Sequence, residues 1–364
     1  MTYSAEVLLQ LIRISLGKVD PSALSNVVLR DVVDWEEVYK LSLNQGVCAL
    51  CADAVSLMDE RYGIDEELRY KWIGQATIQT IDFDAKWNAA NELGRLWSRE
   101  GIRSVILKGF AYGLFYPNPR YREFCDLDCF LFEDWEQGNL LVEDLGIKVE
   151  REYYKNSSFT YKGLFVENHH YCSPIRGGKH QKKYEQYLQG LLKKGPLLPV
   201  NNSQLLLPPP LFNILFFMSH SFIHFIVEGG IQLRHVCDLA ILLEAYKDES
   251  ELFWKTFVDK CEEYGFLKYA WSVCQVARRV CGIEIPFNCL TNEQCDNAML
   301  EDIMSPVCVQ VDFGNNWKSR WKRARCRLQS AWKYKYYTDT NVWLSLFMDV
   351  WYHIVDRTPK LKTD

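Results

Sequence analysis

The feature that most constrains the fold of this chain is a pair of aspartates at the start of an apolar segment, Asp126-Leu127-Asp128 followed by Cys129–Phe132. Residues at i and i+2 of a β-strand point to the same face, so the two carboxylates lie about 6–7 Å apart. The apolar residues that follow predict a strand inside a sheet, covered on both faces. Two such carboxylates repel each other and are costly to desolvate unless a cation faces them. The sequence therefore predicts a central strand that carries a cation site.

A third acid downstream predicts that the cation is a divalent metal. Glu167 lies in the strand-like segment Leu164–Tyr171. If this segment pairs with the strand that begins at Asp126, Glu167 completes a cluster of three carboxylates. Such hard oxygen ligands favour Mg²⁺ or Mn²⁺. The cluster suits two divalent ions roughly 3.5–4 Å apart, which activate an attacking oxygen and neutralise a triphosphate.

A glycine-containing turn precedes the aspartates. The apolar run Val105–Leu107 predicts a short buried strand, and Gly109 follows it at the start of a helix-like segment. A glycine at the N-terminus of a helix lets a phosphate approach the backbone closely. Lys108, beside it, can add a positive charge. These residues predict a phosphate-binding turn.

The order of these elements resembles the polymerase β-type nucleotidyltransferase superfamily, which has a strand, a glycine, a short helix, Asp-x-Asp opening a strand, and a distant third acid. More narrowly, Leu107–Gly109, a Tyr-Pro turn and Arg122 four residues before Asp126 resemble a bacterial group of uncharacterised nucleotidyltransferases. The segment His220–Ala240 is similar to the helical region of that group. The resemblance covers residues 80 to 245.

The resemblance implies an activity and assigns roles. It implies that Asp126 and Asp128 are catalytic and bind the metals, that Glu167 is the third carboxylate, and that Gly109 lies near the triphosphate. The implied reaction moves a nucleoside monophosphate from an NTP to an acceptor hydroxyl and releases pyrophosphate. The acceptor stays open among a small molecule, a protein side chain and an RNA end. We expect it to bind between the α/β core and the helical domain.

The chain also departs from the superfamily pattern. Phe110 follows Gly109 where Ser or Gly is usual, and the gap of 17 positions from Gly109 to Asp126 is long. Cys125 stands where the narrower group has glycine. We therefore expect Lys108 or Arg122 to neutralise phosphate charge in place of a Gly-Ser pair. The departures also keep a second function open, a catalytically inactive fold that serves as a binding or regulatory module.

The position of the apolar run disfavours two other enzyme classes that use Asp-x-Asp. Phosphatases of the haloacid-dehalogenase type and many glycosyltransferases carry the pair after a strand, at its carboxyl end. Here the apolar run follows the pair, and Glu123–Cys125 before it is not a strand of that kind.

Each candidate residue also has a structural explanation. Asp126 and Asp128 could cap a strand in a solvated turn, and Glu167 could be an exposed strand residue paired with a lysine. Lys108 could be a surface residue at the end of a strand. Arg122 could be the structural partner of Asp126, which would still place it in the site.

The histidines are ambiguous in the same way. His169 and His170 are adjacent, so they face opposite sides of a strand and one of them can enter the site. His220 and His224 share a helix face at a spacing compatible with metal binding. Without an acidic partner nearby in the sequence, these two are better explained as core histidines.

Asp238 lies within an apolar helical segment and has two interpretations. It either pairs with Arg234 one turn earlier, or it contacts the site. The residues that we expect as candidate substrate contacts are His169, His224 and Asp238.

A basic and aromatic stretch, Gly314–Thr338, contains no acid. Such a composition suits nucleic acid or another phosphate-bearing polymer. The alternative is a helix that packs its rings against the rest of the chain, and the net charge of −5 gives no overall attraction to nucleic acid. The eight basic residues are Lys318, Arg320, Lys322, Arg323, Arg325, Arg327, Lys333 and Lys335.

The periodic segments predict an α+β fold in three parts. Residues 1–80 form an N-terminal helical cap, residues 81–200 a small nucleotidyltransferase-like core with a mixed sheet, and residues 205–364 a C-terminal helical domain. Helical spacing is clear in Ile81–Arg99 and continues an earlier pattern in Glu66–Thr80. In the core, three short runs predict a β-meander: Lys148–Tyr154, Ser158–Tyr161 and Leu164–Tyr171.

The cysteines and the N-terminus predict a cytoplasmic protein. The thirteen cysteines are scattered without a framework spacing, which favours reduced thiols. Met1–Gly17 has no basic start, and Gln10 and Arg13 interrupt its apolar run, so it is not a signal peptide. The longest apolar stretch, Leu211–Val227, contains Asn213, His220 and His224 and predicts a buried helix, with no membrane partner.

Overall fold

The computed structural model describes residues 1–28, 31–151, 154–173, 179–305 and 317–355. Within them, helices surround a six-stranded mixed sheet, which confirms the predicted α+β class. The helices are α1 Tyr3–Ser15, α2 Ala23–Val28, α3 Trp35–Asn44, α4 Cys48–Ser56, α5 Glu66–Arg99, α6 Lys108–Gly113, α7 Trp135–Glu143, α8 Lys179–Lys194, α9 Pro210–Val227, α10 Leu233–Ala245, α11 Glu251–Glu263, α12 Leu267–Cys281, α13 Glu293–Met304, α14 Trp317–Gln329, α15 Ala331–Tyr337 and α16 Val342–Val355. The strands are β1 Val105–Leu107, β2 Asp126–Phe130, β3 Asn156–Tyr161, β4 Leu164–His169, β5 Leu198–Pro199 and β6 Leu206–Leu207.

The strand that begins with the two aspartates, β2, lies inside the sheet. The strand order is β3-β4-β2-β1-β6-β5. β2 pairs antiparallel with β1 and parallel with β4, so Asp128 lies opposite Leu107 on one side and Glu167 on the other. The predicted central strand and the predicted pairing of the two acidic strands are therefore confirmed.

The two faces of the sheet have different chemistry because side chains alternate along each strand. Leu127 on β2 lies in register with Val166 on β4, and both are fully buried. Asn168 is on this same face and donates to the carbonyl of Trp135 in α7 at 2.9 Å. The opposite face carries the acids and faces α9 and α10.

The two helical patterns before the sheet form one helix, α5, which begins after the N-cap Asp65 and runs for 34 residues. It crosses the predicted boundary at residue 80 without a break. Likewise Leu206 pairs with Val105 in parallel, although the sequence placed it at a domain boundary. The division of the chain into three domains stays a prediction.

The predicted meander is wrong in its first strand. Of the segment Lys148–Tyr154, only Glu150 forms a bridge, to Ser158, while residues 152–153 lie outside the described part of the chain. The reason is that Arg151 binds two glutamates of α7, which directs this segment to the helix. Its hydrogen bonds run to Glu136 at 2.9 Å and to Glu143 at 2.6 Å.

The remaining two strands, β3 and β4, form a tight hairpin. Lys162 and Gly163 join them with φ angles of 48° and 81°. Two consecutive positive φ values are typical of the type I′ turn, whose twist matches that of the strands it connects. This turn sets the register that carries Glu167.

The long apolar helix α9 forms part of the wall above the acidic face. Among the described residues, α9 is the one helix that is long and apolar enough to cross a membrane. However, 61% of it is buried inside the protein. That burial agrees with the predicted core helix. At the C-terminal end of α9, Arg327 donates to the carbonyl of Val227 and Lys333 to that of Gly229, each at 3.2 Å.

These two contacts show that part of the basic stretch serves packing. Lys333 is fully buried, pairs with Asp302 at 2.6 Å and lies 4.3 Å from the ring centre of Phe225. Helix α13 was not predicted, whereas α14 and α15 agree with the alternative that the basic stretch is helical. Of the predicted stretch, residues 314–316 and the side chains of Trp317, Lys318, Arg320 and Arg323 lie outside the described residues.

Most of the cysteines are reduced, as predicted. Eleven of them are free thiols and most of these are buried. Cys326 is disulfide-bonded, so the prediction is wrong at this residue. The cytoplasmic location stays a prediction.

Candidate active site

A cavity of about 400 Å³ lies between the acidic face of the sheet and the helices α9 and α10. This volume is in the usual range of small-molecule binding pockets. The residues on the sheet side are Lys108, Gly109, Tyr112, Arg122, Phe124, Cys125, Asp126, Asp128, Lys155 and Glu167. The residues on the helical side are Phe217, His220, Ser221, His224, Arg234, His235 and Asp238. A second cavity, of about 330 Å³ beside α12 and α13, contains none of the predicted site residues.

Asp128 is a deeply buried acid of the cavity. Its side chain is 2% exposed, and its Oδ1 atom lies 2.7 Å from both the ammonium of Lys108 and Nε2 of His169. Burial alone would raise the pKa of Asp128, but Lys108 and His169 outweigh it and hold that pKa well below its usual range. Asp128 is therefore ionised, and the solvated-turn interpretation is wrong for it.

Three neighbouring side chains, one of which is Asp128 itself, fit a metal ion. Asp128, Glu167 and His169 each offer one ligand atom, and these atoms lie within 4.8 Å of one another. Nε2 of His169 is 3.3 Å from Oε2 of Glu167. Two carboxylates and one imidazole are an ordinary ligand set for a divalent cation. His169 thus joins the predicted carboxylates, and the identity of the metal stays a prediction.

Asp126 lies two residues before Asp128, on the same face of β2. Burial raises its pKa, and the charge of Asp128 raises it further. In the described part of the chain Asp126 forms no ion pair within 4 Å. An added cation would relieve the repulsion between these two acids.

Lys108 is a site residue and not a surface residue. Its side chain is 14% exposed, and its ammonium pairs with Asp128. Burial lowers its pKa, but Asp128 outweighs burial, so the pKa of Lys108 is raised. Its φ angle of 46° lies in the left-handed region, which is uncommon for a residue other than glycine. The strained junction between β1 and α6 therefore points this ammonium at the acids.

Gly109 is needed for a reason that the sequence did not show. A Cβ atom at this position would lie 3.3 Å from Nη1 of Arg122. The glycine thus leaves room for the guanidinium group. α6 begins at Lys108 and has six residues. Whether Gly109 also lies beside a triphosphate stays a prediction.

Arg122 pairs with Asp238 and not with Asp126. Its Nε donates to Oδ1 of Asp238 at 3.1 Å and its Nη2 to Oδ2 at 2.6 Å, while Nη1 donates to the carbonyl of Glu123 at 2.7 Å. Burial would lower the pKa of Arg122, but Asp238 outweighs it and raises that pKa. A two-pronged, buried pair of this kind is a strong contact. The interpretation of Arg122 as the partner of Asp126 is wrong.

Asp238 is a wall residue of the cavity, and its predicted pairing with Arg234 is also wrong. Besides Arg122, it accepts a hydrogen bond from the hydroxyl of Tyr116 at 2.9 Å. Arg234 instead approaches Glu123 at 3.4 Å. The Arg122–Asp238 pair therefore joins the segment before β2 to α10.

The adjacent histidines divide as predicted. His169 faces the site, where it binds Asp128. His170 faces the other side of the sheet, where its ring packs on Trp135 with 3.8 Å between centroids. Burial lowers the pKa of His170 to about 4.

His220 and His224 line the cavity, so their interpretation as core histidines is wrong. Their Nε2 atoms are 3.2 Å apart. Nδ1 of His224 binds the carboxylate of Glu228. This acid lies four residues after His224, one helical turn away, and the sequence pattern would have shown it.

Lys155 is a charged cavity residue that the sequence did not reveal. It comes directly before β3 and is half-buried in the cavity wall. Burial lowers its pKa, and the nearby charge of Lys108 lowers it further. No local pattern could identify it, because its position depends on how β3 and β4 pair.

Comparison with known proteins supports one family. A family model described as an uncharacterised nucleotidyltransferase matches residues 31–282, which is more than half of the chain. The matched segment contains every residue of the 400 Å³ cavity. No curated protein and no solved structure matches this chain.

Proposed function

This chain belongs to the family of uncharacterised nucleotidyltransferases, and from that premise we propose that it transfers a nucleoside monophosphate from an NTP to a hydroxyl group of an acceptor. A bond forms between the acceptor oxygen and the α-phosphorus, and the bond from that phosphorus to the β-phosphate oxygen breaks. The electron pair leaves with pyrophosphate, and the hydroxyl loses its proton. The observation that carries the proposal is the register of β2 and β4, which sets Asp128 beside Glu167 within a cavity.

The acids of the cavity would hold Mg²⁺ or Mn²⁺. Asp126, Asp128 and Glu167 share the cavity face, and His169 adds a nitrogen close to two of them. When bound, such ions neutralise a triphosphate and activate an attacking oxygen. The repulsion between Asp126 and Asp128 favours this binding.

Lys108 has two positions in this proposal. Without a cation it neutralises Asp128 at 2.7 Å. If a cation were held at Asp128, the Lys108 ammonium would be free to face a phosphate oxygen from the turn at Gly109. Arg122, fixed by Asp238, supplies a stationary positive charge in the same wall.

The acceptor binds between the sheet and α9 in this proposal. His224 and Ser221 line that side of the cavity, and neither belongs to the acidic cluster. They are the candidate contacts for the acceptor. The cavity does not distinguish among a small molecule, a protein side chain and an RNA end.

A binding module without catalysis is the second candidate, and one observation favours it. The Lys108–Asp128 pair satisfies the buried acid without any metal. Such a module would be stabilised by nucleotide but would transfer nothing. The measurement below separates the two.

The first prediction is that the protein transfers the label of an α-labelled NTP to an acceptor. Each of the four NTPs is incubated with Mg²⁺ or Mn²⁺, with the purified protein alone and with lysate. Asp128→Asn removes a metal ligand, so we expect the transferred label to fall to background. Glu167→Gln, at a side chain that is 28% exposed, tests the same site with less risk to folding.

Asp82→Asn is the matched control, since Asp82 is an exposed acid that pairs with Lys86 on α5. It should transfer label like the unchanged protein. Circular dichroism checks that each variant is folded. If no NTP gives label transfer but nucleotide still stabilises the protein, the transferase proposal is wrong and the binding module takes its place.

A further inference from the structure

The charged side chains of the cavity divide into paired and unpaired groups. Lys108 is paired with Asp128, and Arg122 with Asp238. Within the described residues, Lys155 forms no ion pair within 4 Å. Asp126 is likewise without a paired cation, as described above. The cavity thus holds a lysine and an aspartate that have no ion-pair partner within 4 Å among the described residues.

Lys155 is held firmly in this position by its own backbone. Its carbonyl accepts hydrogen bonds from the N–H groups of His170 at 2.8 Å and Tyr171 at 3.2 Å, just beyond the end of β4. These contacts tie the residue to the strand that carries Glu167. A partly buried ammonium without an acid is costly unless a ligand supplies negative charge.

The surroundings of Lys155 combine hydrogen-bond donors with the charges of Lys108, Asp128 and Glu167. Burial lowers the pKa of His220 well below its usual range, and Lys108 and Lys155 contribute to the shift, so these three groups are close together. The hydroxyl of Tyr112, in the same wall, is buried and has no hydrogen-bond partner among the described residues. These groups match the oxygens of a phosphate chain.

The turn at Gly109 is less suited to bind phosphate. The space beside the glycine is taken by the guanidinium of Arg122. Each nitrogen of that guanidinium already donates a hydrogen bond, to Asp238 or to the carbonyl of Glu123. Nη1 and Nη2 each keep one further N–H, but Asp238 already neutralises the guanidinium, so a phosphate gains less from Arg122 than from an ammonium without an ion pair.

We propose that Lys155 binds the polyphosphate chain of the substrate, which lies between this ammonium and the cation held by Asp126 and its neighbouring acids. The inference deepens the proposed function, since the polyphosphate is that of the NTP. It adds a lysine at the start of β3 to the phosphate contact proposed for Lys108, and it assigns no phosphate contact to the backbone at Gly109.

The test measures binding without relying on transfer. Inorganic tripolyphosphate and ATP are each titrated into the purified protein with Mg²⁺, by isothermal titration calorimetry. Lys155→Met keeps the apolar stem and removes the charge. We expect both ligands to bind about 10- to 100-fold more weakly, which is the loss of one charge-assisted contact.

Lys162→Met is the matched control, because Lys162 belongs to the same hairpin but is exposed and paired with Glu92. It should bind both ligands like the unchanged protein. Thermal unfolding without ligand gives an independent readout. Lys155→Met should keep or raise the midpoint because it removes an unpaired charge, whereas the loss of a structural lysine would lower it.

The outcomes separate the two proposals. Unchanged affinities in Lys155→Met, or a lowered midpoint with normal binding, would overturn the role of Lys155 and leave the transferase standing. Lys155-dependent binding of both ligands without any label transfer would overturn the transferase alone. Weaker binding of tripolyphosphate but not of ATP would overturn the nucleotide assignment and indicate a site for free polyphosphate.

Discussion

At the scale of single residues, the site is organised by the shared carboxylate of Asp128. Lys108 and His169 both reach the same oxygen, and all three side chains are largely buried. Breaking a buried pair leaves one charge without compensation, which usually costs more than the pair contributes. Lys108 therefore has a structural role in the metal-free protein in addition to its proposed role with phosphate.

The second prediction concerns Lys108→Met. This change leaves the carboxylate of Asp128 with His169 alone, and we expect the free energy of unfolding to fall by about 3–5 kcal/mol. Because a divalent ion can replace the ammonium, Mn²⁺ should recover part of the loss. Urea denaturation with and without Mn²⁺ measures both effects. An unchanged urea midpoint would show that the ion pair does not form in solution.

The third prediction is a pH dependence set by two cavity histidines. Burial is the largest cause that lowers the pKa of His220 and of His235 well below the usual range. The unfolded chain therefore binds more protons than the folded one below about pH 6.5, the ordinary pKa of histidine, and stability falls as the pH falls.

Each such histidine contributes up to about 1.4 kcal/mol per pH unit below that point. Urea denaturation at pH 7 and pH 5 measures the loss, and His220→Gln should make it smaller. The groups around His220 are Lys108, Lys155, His224 and His235, all of which oppose its protonation. An equal loss in the variant would show that His220 takes up its proton in the folded state.

At the scale of elements, the two walls of the cavity are positioned by different means. The β2–β4 register and the type I′ turn at Lys162-Gly163 set the acidic wall. The opposite wall depends on α9, where Arg327 binds the carbonyl of the last helical residue, Val227, and Lys333 binds that of Gly229 just after the helix. Positive side chains at the C-terminal end of a helix also interact favourably with its dipole.

The fourth prediction concerns that anchor. Lys333→Met leaves Asp302 buried without its partner, and we expect the free energy of unfolding to fall by about 3–5 kcal/mol. In the double variant Lys333→Met/Asp302→Leu no charge is left unpaired, so most of the loss should be recovered. Chemical denaturation of both variants is the measurement. A double variant as unstable as the single one would indicate that the contact of Lys333 with Gly229 matters more than the ion pair.

At the scale of the whole molecule, the cavity unites segments that are far apart in the chain. Arg122 and Asp238 are 116 residues apart and join the sheet to α10. Buried apolar residues of the N-terminal helices, the sheet and the C-terminal helices belong to one hydrophobic cluster. An acceptor that enters between the sheet and α9 therefore meets residues from two of the three predicted domains.

The sequence by itself determined the strand that carries the site and the class of the fold. The Asp126–Asp128 pair before an apolar run is a local pattern, and alternation along a strand follows from backbone geometry alone. The resemblance to nucleotidyltransferases came from spacing along the chain. The acid Glu228, one turn after His224, was equally visible in the sequence but was not used.

Only the tertiary structure decided which charges pair and which remain unpaired. The sequence allowed Arg122 to pair with Asp126, and Asp238 with Arg234, because each pair is close along the chain. Packing of α10 against the sheet instead brings Arg122 to Asp238, and the pairing of β3 with β4 brings Lys155 into the cavity without an ion pair within 4 Å among the described residues. Such choices depend on distances in space between elements, and no local periodicity specifies them.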